Sequence, residues 1–325
     1  MSHSPFAARL KTWGPDAAHG RVVSRDEAFE HCRRLACRHY ENFTVVSLLL
    51  PRRLRPHFFN VYAWCRWADD LGDEVDDPDE SLRLLGWWRD ETWQCYNGQP
   101  RHPVLIALAE SVDIFSLPIQ PFLDLISAFE QDQTVHEYAT FADLSDYCRR
   151  SANPVGRLVL HLLDEVSEAS FLDSDSICTG LQLANFWQDV NRDMDIERVY
   201  IPKEDRERFG YEDDDLQNRR TTDAFMALMK FEVERARDLL QSGLPLVPRL
   251  SLRFQIDIDL FIRGGLRILD RIERIDYRVW KQRPVVTRLD VAQLFFQSVL
   301  RTMFGKHKSA APRSRRSEAV DVRNA

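Results

Sequence analysis

The stretch HFFNVYAWCRWADDLGDEVDDPDE, residues 57–80, decides how this chain folds. Tyr62, Arg66, Asp69 and Asp73 fall at i, i+4, i+7 and i+11, one stripe of an α-helix. Phe58, Val61, Cys65, Ala68 and Leu71 or Gly72 make an adjoining apolar stripe that can enter a core. Asp69, Asp70, Asp73, Glu74, Asp76 and Asp77 then crowd the last turns before Pro78. Carboxylates at a helix C-terminus oppose the macrodipole, and like charges four apart repel, each by about a few tenths of a kcal/mol. A bound cation would reverse that sign.

A second stretch, LQLANFWQDVNRDMDIERVYIP (181–202), repeats the arrangement. Gln182, Asn185, Asp189 and Asp193 share one stripe, and Leu183, Trp187, Val190 and Met194 form its apolar neighbour. Asp189, Asp193 and Asp195 gather where the helix runs out, before Pro202. One D-x-x-x-D in a chain with 29 % charged residues is ordinarily a solvated face. Two, each beside an apolar stripe and each late in its helix, point to a shared metal site.

Outward from these stretches, apolar residues keep three- and four-residue spacing almost throughout. Helices are predicted over 26–50, 53–77, 79–96, 103–111, 119–137, 141–163, 175–195, 222–241, 253–277 and 287–304. Ser24, Thr140, Ser174 and Thr221 are their candidate caps. The best strand candidate is 199–201. Gly and Pro number 12 and 15, a share below the roughly 12 % of average usage, which favours long helices over many turns. No fixed-period repeat and no Gly-, Ser- or Pro-rich linker divides the chain. The expectation is one all-α domain over 25–304, with an extension at 1–24 and a disordered, basic tail at 305–325.

The net charge of −7 argues against a dedicated nucleic-acid partner. The six cysteines form no C-x-x-C pair and read as structural thiols of a reducing cytosol rather than a disulfide frame or zinc site. No apolar run is long enough for a signal peptide or a membrane span, so the expected location is cytoplasmic. The mildly basic tail is the one feature that suggests weak peripheral contact with an anionic membrane surface. The tryptophans Trp87, Trp88 and Trp93 read as helix packing, and lone histidines such as His102, His136 and His161 as satisfied core or surface groups.

Oxygen-only ligands on two facing helices suit a hard cation, and Mg²⁺ is commonly held by a few carboxylates plus substrate phosphates. Such stripes could hold a diphosphate between them, the metal neutralising the leaving group while a dry aromatic interior shelters a carbocation. A di-iron bundle would need Glu-x-x-His, and no glutamate has a histidine three residues later. Neither a G-x-G-x-x-G nor a P-loop is present.

YAWCRWADDLGDE and QLANFWQDVNRDMDIERVYIP resemble the two aspartate-rich motifs of the squalene/phytoene synthases, and the similarity runs from about residue 39 to 281. The resemblance implies a single-domain, all-α isoprenoid synthase bundle with a central cavity, Mg²⁺, and chemistry on prenyl diphosphates. It assigns Asp69, Asp73, Asp189 and Asp193 as catalytic Mg²⁺-diphosphate ligands, Asn185 as a metal-binding amide and Gln182 as its polar neighbour. Tyr62 and Arg66 match residues that meet the diphosphate. Asn42 and Phe43, in HYENFTVVSLLLP, match substrate-binding positions at the cavity entrance, and Tyr147, in DYCRRSANPVG, a catalytic cavity tyrosine. Asp132 resembles a further carboxylate facing the centre.

Three departures stand out. The usual arginine before the second motif is Gln188, kept here as a substrate-binding candidate, the A-G-T-V-G after the tyrosine reads A-N-P-V-G (152–156), and Gly265 stands where many members carry a cavity tyrosine. Together, NFWQDV, SANPVGRLVLHL and RGGLRIL resemble the bacterial branch of hopanoid-linked squalene synthesis. That resemblance implies ionisation of presqualene diphosphate and water capture to hydroxysqualene, coupled to a presqualene diphosphate synthase upstream and a flavin-dependent reductase downstream. Head-to-head condensation of two farnesyl diphosphates, or a phytoene-type reaction, would use the same aspartates.

Overall fold

The apolar periodicity of the sequence becomes fourteen α-helices among the described residues of a computed structural model, which are 5–17, 23–38 and 50–303. They are α1 (Pro5–Trp13), α2 (Arg25–Arg38), α3 (Arg55–Asp73), α4 (Pro78–Tyr96), α5 (Pro103–Phe115), α6 (Gln120–Gln131) and α7 (Phe141–Ser151). There follow α8 (Asn153–Leu162), the long α9 (Glu168–Asp195), the short α10 (Lys203–Arg208) and α11 (Asp213–Gln217), and α12 (Asp223–Ser242). A 3₁₀ segment (Leu244–Arg249), α13 (Leu252–Arg274) and α14 (Arg288–Met303) complete the order. The class expected from the sequence, all-α, is the class observed. Residues 39–49, and with them the entrance candidates Asn42 and Phe43, lie outside the described residues, as does 304–325.

Several boundaries differ from the sequence expectation for identifiable reasons. The helix expected over 141–163 is two, because Pro154 has no N–H to continue the hydrogen-bond ladder and sits instead in the first turn of a new helix, where none is needed. The helix expected to reach 137 stops at Gln131, and the chain turns through 132–134. α3 ends at Asp73, so Asp77 is not part of its last turn but caps α4, accepting from the Asp79 N–H at 3.1 Å. There it and Asp79 sit at the favourable end of a helix dipole. Ser174 lies inside α9, which starts earlier with Ser167 as its cap, and Thr222 rather than Thr221 caps α12. Thr140 forms a capping box with Asp143 on α7.

No strand forms over 199–201. A single parallel bridge joins Val199 to Glu137, with the Val199 N–H donating to His136 O at 2.7 Å and the Lys203 N–H to Tyr138 O at 2.9 Å. This pairing lays the segment after α9 against the segment after α6, and it places two residues of the site described below.

The buried side chains fall into two clusters. One gathers α2, α3, α4 and α5 around Trp64, Trp67, Trp88 and Phe122; the other gathers α9, α12 and α13 around Trp187, Phe225 and Leu269. Trp88 is fully buried, as a packing residue should be, while Trp93 is 44 % exposed. His102 is a buried cap that accepts from the Val104 N–H. All six cysteines are free. Among the described residues no helix is long and apolar enough to cross a membrane.

Helix α8 packs against both α3 and α9, while α6 packs on α3 and α7 on α9. Gly156 makes the α8–α9 contact close: a Cβ there would meet Ser174 Oγ at 2.4 Å and Cys178 Sγ at 2.6 Å. The two aspartate helices are therefore held by shared neighbours, one from each core, with their acidic C-terminal turns at the same end.

Candidate active site at the ends of two aspartate helices

On α3 the stripe predicted from the sequence is present. Arg66 pairs with Asp69 at 2.9 Å and also with Asp70, which is 1 % exposed. Tyr62, half-buried one turn earlier, feels the charges of Arg66, Asp69 and Asp70. Burial pushes the Asp69 carboxyl up to about 7, with Asp73 adding to the shift and Arg66 opposing it. Asp73 is shifted the same way, crowding by protein atoms being the largest cause and the cations of Arg198 and Arg66 working against it.

On α9, Asp189 is gripped by Arg283, Nε to Oδ1 at 2.5 Å and Nη2 to Oδ2 at 2.9 Å. Burial, reinforced by Asp189, raises Asp193 to about 7 against the pull of Arg198, Arg192 and Arg283. Asn185 is exposed on the same stripe and Gln182 is partly exposed. Gln188, where the family commonly carries arginine, points elsewhere: it is buried, and its Nε2 donates to Pro284 O at 2.5 Å. Its amide pins the segment that carries Arg283.

Between the two stripes lie groups from the turns. Asp132, just past α6, is raised to about 6 by burial, while Arg198 and a hydrogen bond from Tyr147 oppose the shift. The Tyr147 hydroxyl donates to Asp132 Oδ2 at 3.0 Å. Arg198 interacts electrostatically with both Asp73 and Asp132, lowers Asp193, and reaches the Asp132 carbonyl at 3.4 Å. It is the cation that faces both stripes. Behind it stands an aromatic wall in which Phe186 stacks on Tyr200 at 3.7 Å and Tyr138 and Tyr147 pack alongside.

Arg198 and Arg283 were not singled out in the sequence. Arg198 lies in the second quoted stretch, five residues after Asp193, so a cation beside that stripe was visible, but not that it faces the other stripe as well. Arg283 is on a segment with no periodicity, and nothing local announces it.

Gly265, where the resemblance expects a tyrosine, is a close-packing position. A Cβ there would meet Leu181 Cδ2 at 2.8 Å and Leu240 Cδ1 at 3.0 Å, so this face of α13 packs into α9 and α12. Its neighbour Gly264 has nothing within 4 Å of the same construction.

Among the described residues no three carboxylates, histidines or cysteines converge as a ready-made metal cage. Asp69 and Asp189 are instead paired with guanidinium groups, those of Arg66 and Arg283. The donor set still fits a hard divalent cation: it is all oxygen, and its crowded carboxylates are pushed upward in pKa by burial and by one another. A cation would relieve both terms.

A helical fold with two acidic helix ends, basic groups between them and an aromatic wall behind defines a terpenoid-synthase-like bundle. The squalene/phytoene synthase family model matches residues 36–290, and the chain belongs to that family. It is 32 % identical over 278 residues to a 15-cis-phytoene synthase of Synechocystis, covering 81 % of this chain and 82 % of that one. Among solved structures it resembles squalene synthase HpnC from Alicyclobacillus acidocaldarius, at 42 % identity and a TM-score of 0.76 over 79 % of this chain and 97 % of that one. A dehydrosqualene synthase, 24 % identical over 84 % of this chain and 96 % of that one, shares the fold with a TM-score of 0.76.

Proposed function

We propose that the chain ionises presqualene diphosphate with Mg²⁺ and lets water capture the rearranged cation, giving hydroxysqualene and free diphosphate. The observation that carries this reading is the state of Gln188. A buried amide tied to Pro284 O stands where the family resemblance expects a guanidinium at the second motif, and among the described residues Arg66, Arg198 and Arg283, with the more exposed Arg192, are the cations near the aspartates. That set suits one diphosphate better than the two needed to join a pair of farnesyl diphosphates. The 42 % identity to a solved squalene synthase over nearly its whole length supports the same pathway.

In this reading Asp69, Asp73, Asp189 and Asp193, with Asn185, hold the cation, and Gln182 and Tyr62 border the diphosphate. Bound there, the metal would supply charge neutralisation of the leaving group. Arg66, Arg198 and Arg283 would meet the diphosphate oxygens as they take the electron pair of the breaking C–O bond. Phe186, Tyr200, Tyr138 and Tyr147 would present ring faces to the developing carbocation. Water then adds its oxygen to the rearranged cation and gives up one proton. Upstream, a presqualene diphosphate synthase would supply the substrate; downstream, a flavin-dependent reductase would remove the hydroxyl. Contact with a membrane surface would ease delivery of so apolar a substrate.

A second reading is condensation, either of farnesyl diphosphate to presqualene diphosphate or squalene or of geranylgeranyl diphosphate to phytoene. The specific observation favouring it is the 32 % identity to a phytoene synthase. The purified protein, given Mg²⁺ and each diphosphate separately without nicotinamide, distinguishes the readings. Hydroxysqualene from presqualene diphosphate alone is the expected product. Turnover of farnesyl or geranylgeranyl diphosphate would replace the first reading with the second.

A further inference from the structure

Helix α1 lies outside the residues matched by the family model, yet it reaches the first aspartate stripe. Phe6 is 2 % exposed and meets Trp67 edge-on, ring centroids 5.6 Å apart. That contact seats the helix and carries the Arg9 guanidinium to 6.0 Å from the Trp67 ring. From there Arg9 Nη2 pairs with Oδ2 of the buried Asp70. The other oxygen, Oδ1, is held by Nη2 of Arg66, whose Nη1 reaches Asp69 at 2.9 Å. Four charged groups of alternating sign thus run from a helix beyond the family match to a carboxylate of the site.

We propose that Arg9 is a positioning residue for the diphosphate pocket, acting through Asp70 on Arg66. A guanidinium left alone with a carboxylate tends to close on both of its oxygens. Because Arg9 occupies Oδ2, Arg66 engages Asp70 through one nitrogen and keeps the other for Asp69 and for a ligand beside it. Without Arg9 the buried Asp70 draws the Arg66 fork onto itself and away from the pocket. Phe6, not Arg9, carries the apolar burial of α1, so losing the guanidinium redirects Arg66 without undocking the helix.

This inference rests on the proposal that Arg66 and Asp69 border a diphosphate, and the experiment separates the two. Calorimetry with Mg²⁺ and inorganic pyrophosphate is run on wild type, Arg9→Ala, Arg66→Ala, the double variant and Arg9→Lys. Arg9→Ala should weaken binding by about tenfold, the scale of a typical coupling between contacting charges. The double variant should be no weaker than Arg66→Ala, because Arg9 acts through Arg66, and Arg9→Lys should recover part of the loss. Additive losses in the double variant, or full affinity in Arg9→Ala while Arg66→Ala binds weakly, overturn the role of Arg9 alone. Unchanged affinity in both single variants overturns the diphosphate pocket itself.

Discussion

Arg283 holds both carboxylate oxygens of Asp189 from a segment 94 residues further along the chain, and Gln188, one residue before Asp189, anchors the next backbone carbonyl of that segment at Pro284. A divalent cation at Asp189, as proposed, would therefore compete with a guanidinium for the same aspartate. Arg283→Gln should bind Mg²⁺ alone more tightly, by roughly three- to tenfold, since the competing charge-assisted pair is gone. The same variant should bind Mg²⁺ with pyrophosphate less tightly than wild type. Titration calorimetry reads both, and a parallel change in the two affinities would contradict a competitive pairing.

Neutralising either stripe should cost far more. Asp69→Asn and Asp189→Asn are expected to lower turnover on the order of a hundredfold or more while leaving the helical circular dichroism signal intact. Both side chains are partly exposed, so the fold does not depend on their charge. Turnover at the wild-type rate in either variant would remove the metal-site reading.

Arg198 lowers the carboxyl pKa values of Asp73, Asp132 and Asp193, all of which burial pushes upward. Removing it lets them rise further, so more of the site is protonated at a given pH. The acid limb of the pH–rate profile should move to higher pH in Arg198→Gln, along with a drop in rate. An acid limb left in place would show that these carboxylates do not govern turnover.

The adjacent glycines of α13 should respond in opposite directions. Gly264→Ala fills open space in a helix and should stabilise the protein by about 0.5–1 kcal/mol. Gly265→Ala drives a methyl into Leu181 and Leu240 and should destabilise it by about 1–3 kcal/mol before any helix-propensity gain. Gly265→Tyr should lose stability rather than acquire a new product. Denaturation midpoints decide the pair.

Glu232 is fully buried beside Asp205 and Arg235, with Arg235 Nη1 at 3.0 Å from its Oε2. Burial holds its carboxyl up at about 8, with Asp205 adding to the shift and Arg235 opposing it. The folded state therefore keeps a proton that the unfolded chain releases near 4.5. Stability associated with this group is full below about pH 4.5 and is lost as pH rises toward about 8. Glu232→Gln should flatten that decline and be more stable than wild type at about pH 8, which urea denaturation across the range measures.

The sequence made the two aspartate stripes legible because a 3.6-residue period projects Asp69 and Asp73, or Asp189 and Asp193, onto one face whatever surrounds them. Periodicity could not show what stands between them; only the family resemblance pointed to Asp132, and nothing placed Arg198 or Arg283 there. Asp132 and Arg198 arrive on turns whose placement depends on a single backbone bridge between Glu137 and Val199, and Arg283 on a segment without periodicity. Pro154 was visible as a breaker, yet the apolar pattern on either side read as one continuous helix. Ser174 was mistaken for a cap because a small hydroxyl inside a helix looks like one at its start; Ser167 does that work. The close approach of Leu181 and Leu240 to Gly265 depends on how α9, α12 and α13 pack, which no local pattern displays.

The aspartate helices grow out of different cores, α3 from one and α9 from the other. Their mutual spacing is thus set by how the two halves lean together through α8, rather than by a single packed interior. A ligand spanning both acidic ends acts as a staple across that seam. Its binding free energy is added to the work of separating the halves, so unfolding should become later and sharper as Mg²⁺ and pyrophosphate are supplied together. In this bundle a ligand held by the charge of the cleft would become part of the scaffold.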